Sequence, residues 1–235
     1  SYPFLHPDLL KTDSLPQIPT RDGFGIGLVE LGEKHPNVVA LSADLTESTR
    51  VLNFKKKFPE RFIQLGVSEQ SMASIAAGLA LAGKIPFICS YAMFSPGRNW
   101  EQIRTTICLN DAKVVIVGAH AGVSVGPDGA THQALEDISI MRPLPNLIVI
   151  APCDSEETRK ATLATITTPE PVYLRLTREK TPCFTSAETP FIIGRAEIFR
   201  EGCDVALIAC GPLVHEALLA AELLRHRRIS ARVIN

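Results

Sequence analysis

Four short segments carry side chains able to do chemistry. Glu69 stands in Gly66-Val67-Ser68-Glu69-Gln70-Ser71-Met72, between a strand-like run and a run rich in alanine and glycine. A carboxylate at a helix start is favoured by the helix dipole alone. The small residues Ala73, Ala76, Ala77, Gly78 and Ala80 let that helix pack close to a neighbour. The segment from Gly122 to Gln133 holds three glycines with Asp128 and His132, and a long loop of this kind suits an active site. Asp128 and His132 could supply acid–base groups. The same residues also suit an Asx-turn at Asp128-Gly129 and a helix start at Thr131. Tyr91 and Phe94 follow a strand end, where aromatics are more often core than ligand contacts. Arg175 and Arg178 lie at the carboxyl end of another strand, a place that suits an anion, though most surface arginines have no such role.

These residues must be positioned by strands and helices in alternation. Phe24, Ile26, Leu28, Val29 and Leu31 predict a helix starting near Asp22, with an apolar face that is only roughly periodic. Strands are predicted over 38–42, 61–65, 85–90, 113–119, 147–151 and 172–176. Helices are predicted over 70–82, 98–109 and 156–166. Strands alternating with helices imply a parallel sheet covered on both faces, with ligands bound beyond the carboxyl ends of the strands.

The first twenty residues carry Pro3, Pro7, Pro16 and Pro19 and read as an extended N-terminal arm. Residues 21–180 form the main domain, and 181–194 read as a linker with little periodicity. Residues 195–235 hold a strand at 205–209, a helix marked by Leu213, Val214, Ala217, Leu218, Ala221 and Leu224, and a strand at 231–234. Two parallel strands and one helix are too few for an independently stable domain, so this unit is expected to be incomplete.

Composition excludes several classes. The net charge of −1, from 24 basic and 25 acidic residues, gives no electrostatic footprint for nucleic acid or an anionic membrane. No apolar stretch approaches the ~18 residues needed to cross a bilayer, and the N-terminus has no apolar core of signal-peptide length. The six cysteines include no CxxC pair, and several sit in apolar runs around Cys89 and Cys210. They read as buried thiols of a reducing, cytoplasmic compartment. No Gly-x-Gly-x-x-Gly, no P-loop and no zinc-ligand spacing occurs.

Taken in order, the segments resemble the pyrimidine-binding domain of transketolases, and above all the split form made of two chains. The marks are Ser42-Ala43-Asp44-Leu45-Thr46, Gly66-Val67-Ser68-Glu69-Gln70, Gly126-Pro127-Asp128-Gly129-Ala130-Thr131-His132-Gln133 and Pro171-Val172-Tyr173-Leu174-Arg175-Leu176. The likeness runs from about Arg21 to the end and continues into the start of a transketolase-like C-terminal α/β domain.

The resemblance implies a thiamine-diphosphate enzyme that transfers a two-carbon ketol unit from a ketose phosphate to an aldose phosphate, as in the pentose phosphate pathway. Glu69 matches the glutamate that hydrogen-bonds the cofactor's aminopyrimidine and activates it. Phe94 and Tyr91 match aromatics that pack on the pyrimidine, although Ser95-Pro96-Gly97-Arg98 replaces a further aromatic found in many relatives. Asp128 and His132 match a pair that contacts substrate hydroxyls and assists proton transfer. His120, eight positions before Asp128, matches a donor-sugar contact. Arg21, Ser48 and Arg178 match the sugar-phosphate cradle. The family's Gly-Asp-Gly…Asn signature for metal and diphosphate is absent. The resemblance therefore implies that a partner chain holds the diphosphate with Mg2+ or Ca2+, in a heterotetramer around a central dimer of this chain. Two related activities share parts of the pattern. Deoxyxylulose-phosphate synthase has the Asp-Gly-x-Thr-His loop but generally no histidine at the position of His120. The β chain of 2-oxo acid dehydrogenases has the same domain order without that loop. A non-catalytic subunit would be expected to have lost some of Glu69, Asp128 and His132.

Overall fold

A computed structural model describes residues 4–235; Pro3 of the proline-rich arm lies outside the described residues. The chain runs β1 (Gln17–Ile18), α1 (Thr20–Lys34), β2 (Val38–Ser42), α2 (Leu52–Lys57), β3 (Phe62–Gln64), α3 (Glu69–Leu81) and β4 (Ile85–Tyr91). It continues through α4 (Trp100–Gln102), β5 (Val115–Ala119), α5 (Asp137–Met141), β6 (Ile148–Ile150), α6 (Ser155–Ala164), β7 (Val172–Arg175) and β8 (Thr181–Pro182). The last elements are β9 (Ile198–Arg200), β10 (Val205–Ile208), α7 (Leu213–His226) and β11 (Ala231–Ile234).

Six strands form one parallel sheet in the order β3-β2-β4-β5-β7-β6. Its central strands bury both faces, as their uninterrupted apolar runs require. Alternate residues divide between two cores. Val38 and Ala40 of β2, with Phe87 and Cys89 of β4, pack under α1, α2 and α6. Val39 and Leu41, with Ile88, pack under α3 and α5. The irregular apolar face of α1 has a steric cause. A Cβ on Gly23 would sit 1.9 Å from Ser155 O, and one on Gly27 would sit 2.9 Å from Thr162 Cβ. Two glycines thus bring α1 into backbone contact with α6, and a side-chain pattern cannot signal that contact.

The helix expected over 98–109 is one α-helical turn, α4, followed by a π-helical stretch, Ile103–Cys108. The segment around Thr131 starts no helix; a 3-10 stretch spans Val123–Asp128, and the next helix is α5.

The proline-rich segment, expected as an extended arm, runs through turns and a 3-10 helix (Thr12–Ser14) into β1 and is built into the fold. β1 pairs with β8 inside the predicted linker, and Leu5 bridges Thr185. Leu5 and Leu15 are buried with Phe184, Phe199, Val214, Leu218 and Val233 in a third core. Each such leucine contributes roughly 1.5–3 kcal/mol by leaving water. His215 Nε2 donates to Leu9 O at 2.8 Å, fastening the segment to α7. The C-terminal unit has three strands in the order β10-β11-β9, where the sequence pattern shows two. β9 is antiparallel to β11 and its three residues give no periodic signal. β10 lies at the edge and is largely exposed, so Cys210 just beyond it is exposed, as is Cys203. The expectation of buried thiols holds for Cys89, Cys108 and Cys153.

Where α6 meets the end of β11, Glu157 Oε2 accepts hydrogen bonds from the Cys153 thiol and from Asn235 Nδ2. Burial, helped by the nearby Asp154 carboxylate, pushes the Glu157 carboxyl from 4.5 up to about 7. The folded state therefore binds a proton that the unfolded chain has released, and stability falls as pH rises from about 4.5 to about 7. The expected loss is roughly 3 kcal/mol across that window. Thermal unfolding at pH 5 and pH 7.5 checks this: Glu157→Gln should show a flatter pH dependence than the parent chain.

Candidate active site

The residues singled out above lie at or beyond a strand's carboxyl end, or at the start of a helix packed there. Ser48 follows β2, Glu69 follows β3, and Tyr91 and Phe94 come at and after the end of β4. His120, Asp128 and His132 follow β5, and Arg178 follows β7. Arg21 sits in the first turn of α1, beside the same edge of the sheet.

Glu69 is the first residue of α3 and only 2 % exposed. Its Oε1 accepts from Ser90 Oγ at 3.5 Å, and its Oε2 is buried without a hydrogen-bond partner. An unpaired buried carboxylate oxygen is costly unless it meets a donor. Asn99 Nδ2 donates to Glu69 O at 3.0 Å and to Ser95 Oγ at 3.2 Å, tying the start of α3 to the turn after Phe94. No hydrogen bond joins Glu69 to Phe94 or Tyr91 among the described residues; the hydrogen-bonded connection runs through Ser90, next to Tyr91 in β4, and through Asn99.

The aromatic residues form one group. The Tyr91 ring lies 4.0 Å from that of His120 and 6.4 Å from that of Phe94. Phe94 meets His132 edge-on at 5.2 Å. Thr131 Oγ1 lies 2.8 Å from His132 Nδ1 and holds that ring from the other side. Asp128 pairs with Arg178 at 3.2 Å, and Arg178 also donates to Val125 O, so the loop is strapped to the segment after β7.

His120 is 1 % exposed and lies 2.9 Å from Arg21 Nη1 through its Nε2. A guanidinium can only donate, so Nε2 accepts and the proton of the neutral ring sits on Nδ1, which has no partner. Burial, then the charges of Arg21, Arg178 and Arg50, lower the His120 pKa to about 3. The imidazole is therefore a neutral donor across the physiological range. Arg21 Nη1 also donates to Ser48 O at 3.0 Å. Burial and the facing Arg50 lower the Arg21 pKa.

Sequence reasoning missed Arg50, Ser90, Asn99 and Asp137. Asp137 is buried, accepting from Tyr173 Oη at 2.7 Å and Arg175 Nε at 2.8 Å. Arg175 is thereby committed to a buried network, while Arg178 reaches the loop. No local pattern marks Asn99 or Ser90, because their partners are 30 and 21 residues away. Among the described residues no group of His, Cys, Asp and Glu side chains is placed to hold a metal ion. No helix among them is long and apolar enough to cross a membrane.

Residues 16–183 match the model of the transketolase pyrimidine-binding domain, and residues 194–235 match that of the transketolase C-terminal domain. The chain belongs to the transketolase family. It is 46 % identical over 216 residues to a protein of Methanocaldococcus jannaschii assigned as a transketolase C-terminal section, covering 91 % of this chain and 68 % of that protein. It is 39 % identical to a 1-deoxy-D-xylulose-5-phosphate synthase of Desulfitobacterium hafniense, covering 90 % of this chain and 34 % of the synthase. Among solved structures it is similar to a split-gene transketolase in an inactive β4 tetramer. The TM-score is 0.86 at 42 % identity, over 93 % of this chain and 71 % of that one. This transketolase-family chain thus corresponds to one section of the enzyme, with the expected parallel-sheet pyrimidine domain followed by the start of the C-terminal α/β domain.

Proposed function

We propose that this chain is the pyrimidine-binding subunit of a two-chain transketolase, transferring a two-carbon ketol unit from a ketose phosphate to an aldose phosphate. The observation that carries the reading is the buried Glu69 carboxyl, whose Oε2 lacks a partner and whose Oε1 meets Ser90, the residue before Tyr91 of the Tyr91–Phe94 aromatic pair. Such a carboxyl suits an aminopyrimidine, since it accepts from an N–H group or, when protonated, donates to a ring nitrogen. Glu69 would hold that end of thiamine diphosphate, and Phe94 and Tyr91 would pack on its ring. Bound there, the cofactor supplies the electron sink for carbon–carbon bond cleavage. Its diphosphate, with Mg2+ or Ca2+, would be held by a partner chain in a cytoplasmic heterotetramer built on a central dimer of this chain.

The remaining residues bind and move protons on substrate. His132, steadied by Thr131 and packed on Phe94, takes and returns the hydroxyl proton as the bond breaks and reforms. Asp128 orients the neighbouring hydroxyls. Neutral His120 donates through Nδ1 to the sugar without adding charge. Arg21, Ser48 and Arg178 receive the terminal phosphate of the sugar, with Arg21 and Arg178 providing forked donors.

A second reading, a deoxyxylulose-phosphate synthase subunit, is favoured by the likeness to the Desulfitobacterium enzyme. The two differ in the donor. With thiamine diphosphate, magnesium and the diphosphate-binding partner, the proposed enzyme should convert a ketose phosphate and an aldose phosphate and release no carbon dioxide from pyruvate. Carbon dioxide release from pyruvate with glyceraldehyde phosphate, without ketol transfer, would replace the first reading by the second.

A further inference from the structure

We propose that Arg50 is a further anion-binding residue of this site, one that selects substrates ending in a doubly charged phosphate. The inference deepens the sugar-phosphate reading above and rests on it.

Arg50 belongs to a tight turn after β2, where Arg50 N donates to Glu47 O and Val51 N to Thr46 O, each at 3.0 Å. Its φ is 66°, in the left-handed region that a non-glycine residue rarely enters. Such a conformation persists only where the surroundings impose it. Here α1 imposes it. A Cβ on Gly25 would lie 2.8 Å from Arg50 Cβ and 2.9 Å from Arg50 O, so the turn is pressed against the helix at a glycine.

Two contacts aim the side chain. Arg50 Nε donates to Asp22 Oδ1 at 2.5 Å, and Asp22 immediately follows Arg21 in the first turn of α1. Arg21 in turn grips the carbonyl of Ser48, two residues before Arg50. Arg21 and Arg50 therefore bracket the same turn from opposite ends. Arg50 uses Nε on Asp22, while its two terminal nitrogens make no hydrogen bond or ion pair among the described residues. A guanidinium held by Nε with both terminal N–H groups uncommitted is preset to donate to two oxygens of one anion. The proximity is also electrostatic: the Arg50 charge bears on both Arg21 and His120. Arg21, Arg50 and Arg178 bring three positive charges to a neutral His120, against the carboxylates of Asp22 and Asp128. The surplus charge and the α1 N-terminus favour a dianion over a neutral sugar end.

The test is titration of this chain with inorganic phosphate at pH 7.5, followed by calorimetry, using Arg50→Asn and Arg50→Lys. Asparagine tolerates the left-handed backbone, so the turn is kept while the charge and fork are lost. Arg50→Asn should weaken phosphate binding by about 10- to 100-fold, the usual span for losing charge-assisted hydrogen bonds. Arg50→Lys should recover part of the loss. With the partner chain present, kcat/KM should fall more for a phosphorylated aldose than for its unphosphorylated form, through KM rather than kcat. Phosphate binding equal in Arg50→Asn and the parent chain, or no binding by the parent chain, overturns the proposal. If phosphate binding depends on Arg50 but no ketol transfer occurs with the partner, the anion site stands and the transketolase reading falls.

Discussion

Glu69→Gln is expected to lower kcat for ketol transfer by about 1,000-fold while leaving the folded chain intact, because acid–base groups of this kind contribute about 100- to 10,000-fold. Glutamine keeps the shape of the side chain and can still meet Ser90 Oγ, which lies 3.5 Å from Oε1. It cannot exchange a proton with an aminopyrimidine. Oε2 is buried without a partner, so a neutral amide there should leave the melting temperature unchanged or raise it. Stopped-assay rates together with thermal unfolding of the same preparation separate the two effects. A variant retaining a tenth or more of the parent rate would remove Glu69 from cofactor activation.

The largest effect on stability is expected at Asp154. Its carboxylate is fully buried and accepts four hydrogen bonds. Oδ1 takes Glu157 N at 2.9 Å and Thr185 Oγ1 at 2.7 Å; Oδ2 takes Phe184 N at 2.9 Å and Thr185 N at 2.7 Å. One side chain thus caps α6 and fixes the segment after β8, where the N-terminal stretch and the C-terminal unit share a core. Asp154→Ala would leave three buried N–H groups and a hydroxyl without acceptors, at a cost of about 3–5 kcal/mol. Urea unfolding measures it, and a change below about 1 kcal/mol would show that the junction finds other acceptors.

The six-stranded parallel sheet was legible because its strands are continuous apolar runs separated by helical spacing. Val38–Ser42 and Val115–Ala119 are buried throughout, as such runs demand. β1 and β8 were not legible: each has two residues, and their pairing joins positions more than 160 apart in the chain. Leu5 and Leu15 fall in the proline-rich stretch that reads as an extended arm, because the core that buries them is assembled from distant segments. The site was legible as separate motifs and as a family likeness. Glu69 alone is indistinguishable from a residue favoured by the helix dipole, and only its burial and unpaired Oε2 set it apart. Arg50 was invisible for another reason: its interest lies in a left-handed backbone and in Asp22, 28 residues earlier.

The most direct test of the central claim is ketol transfer from a ketose phosphate to an aldose phosphate, assayed with thiamine diphosphate and magnesium for this chain alone, its diphosphate-binding partner alone, and both together. The account predicts turnover only when both chains are present. Full activity of this chain by itself would contradict it, and so would silence of the mixture when each chain is shown to be folded.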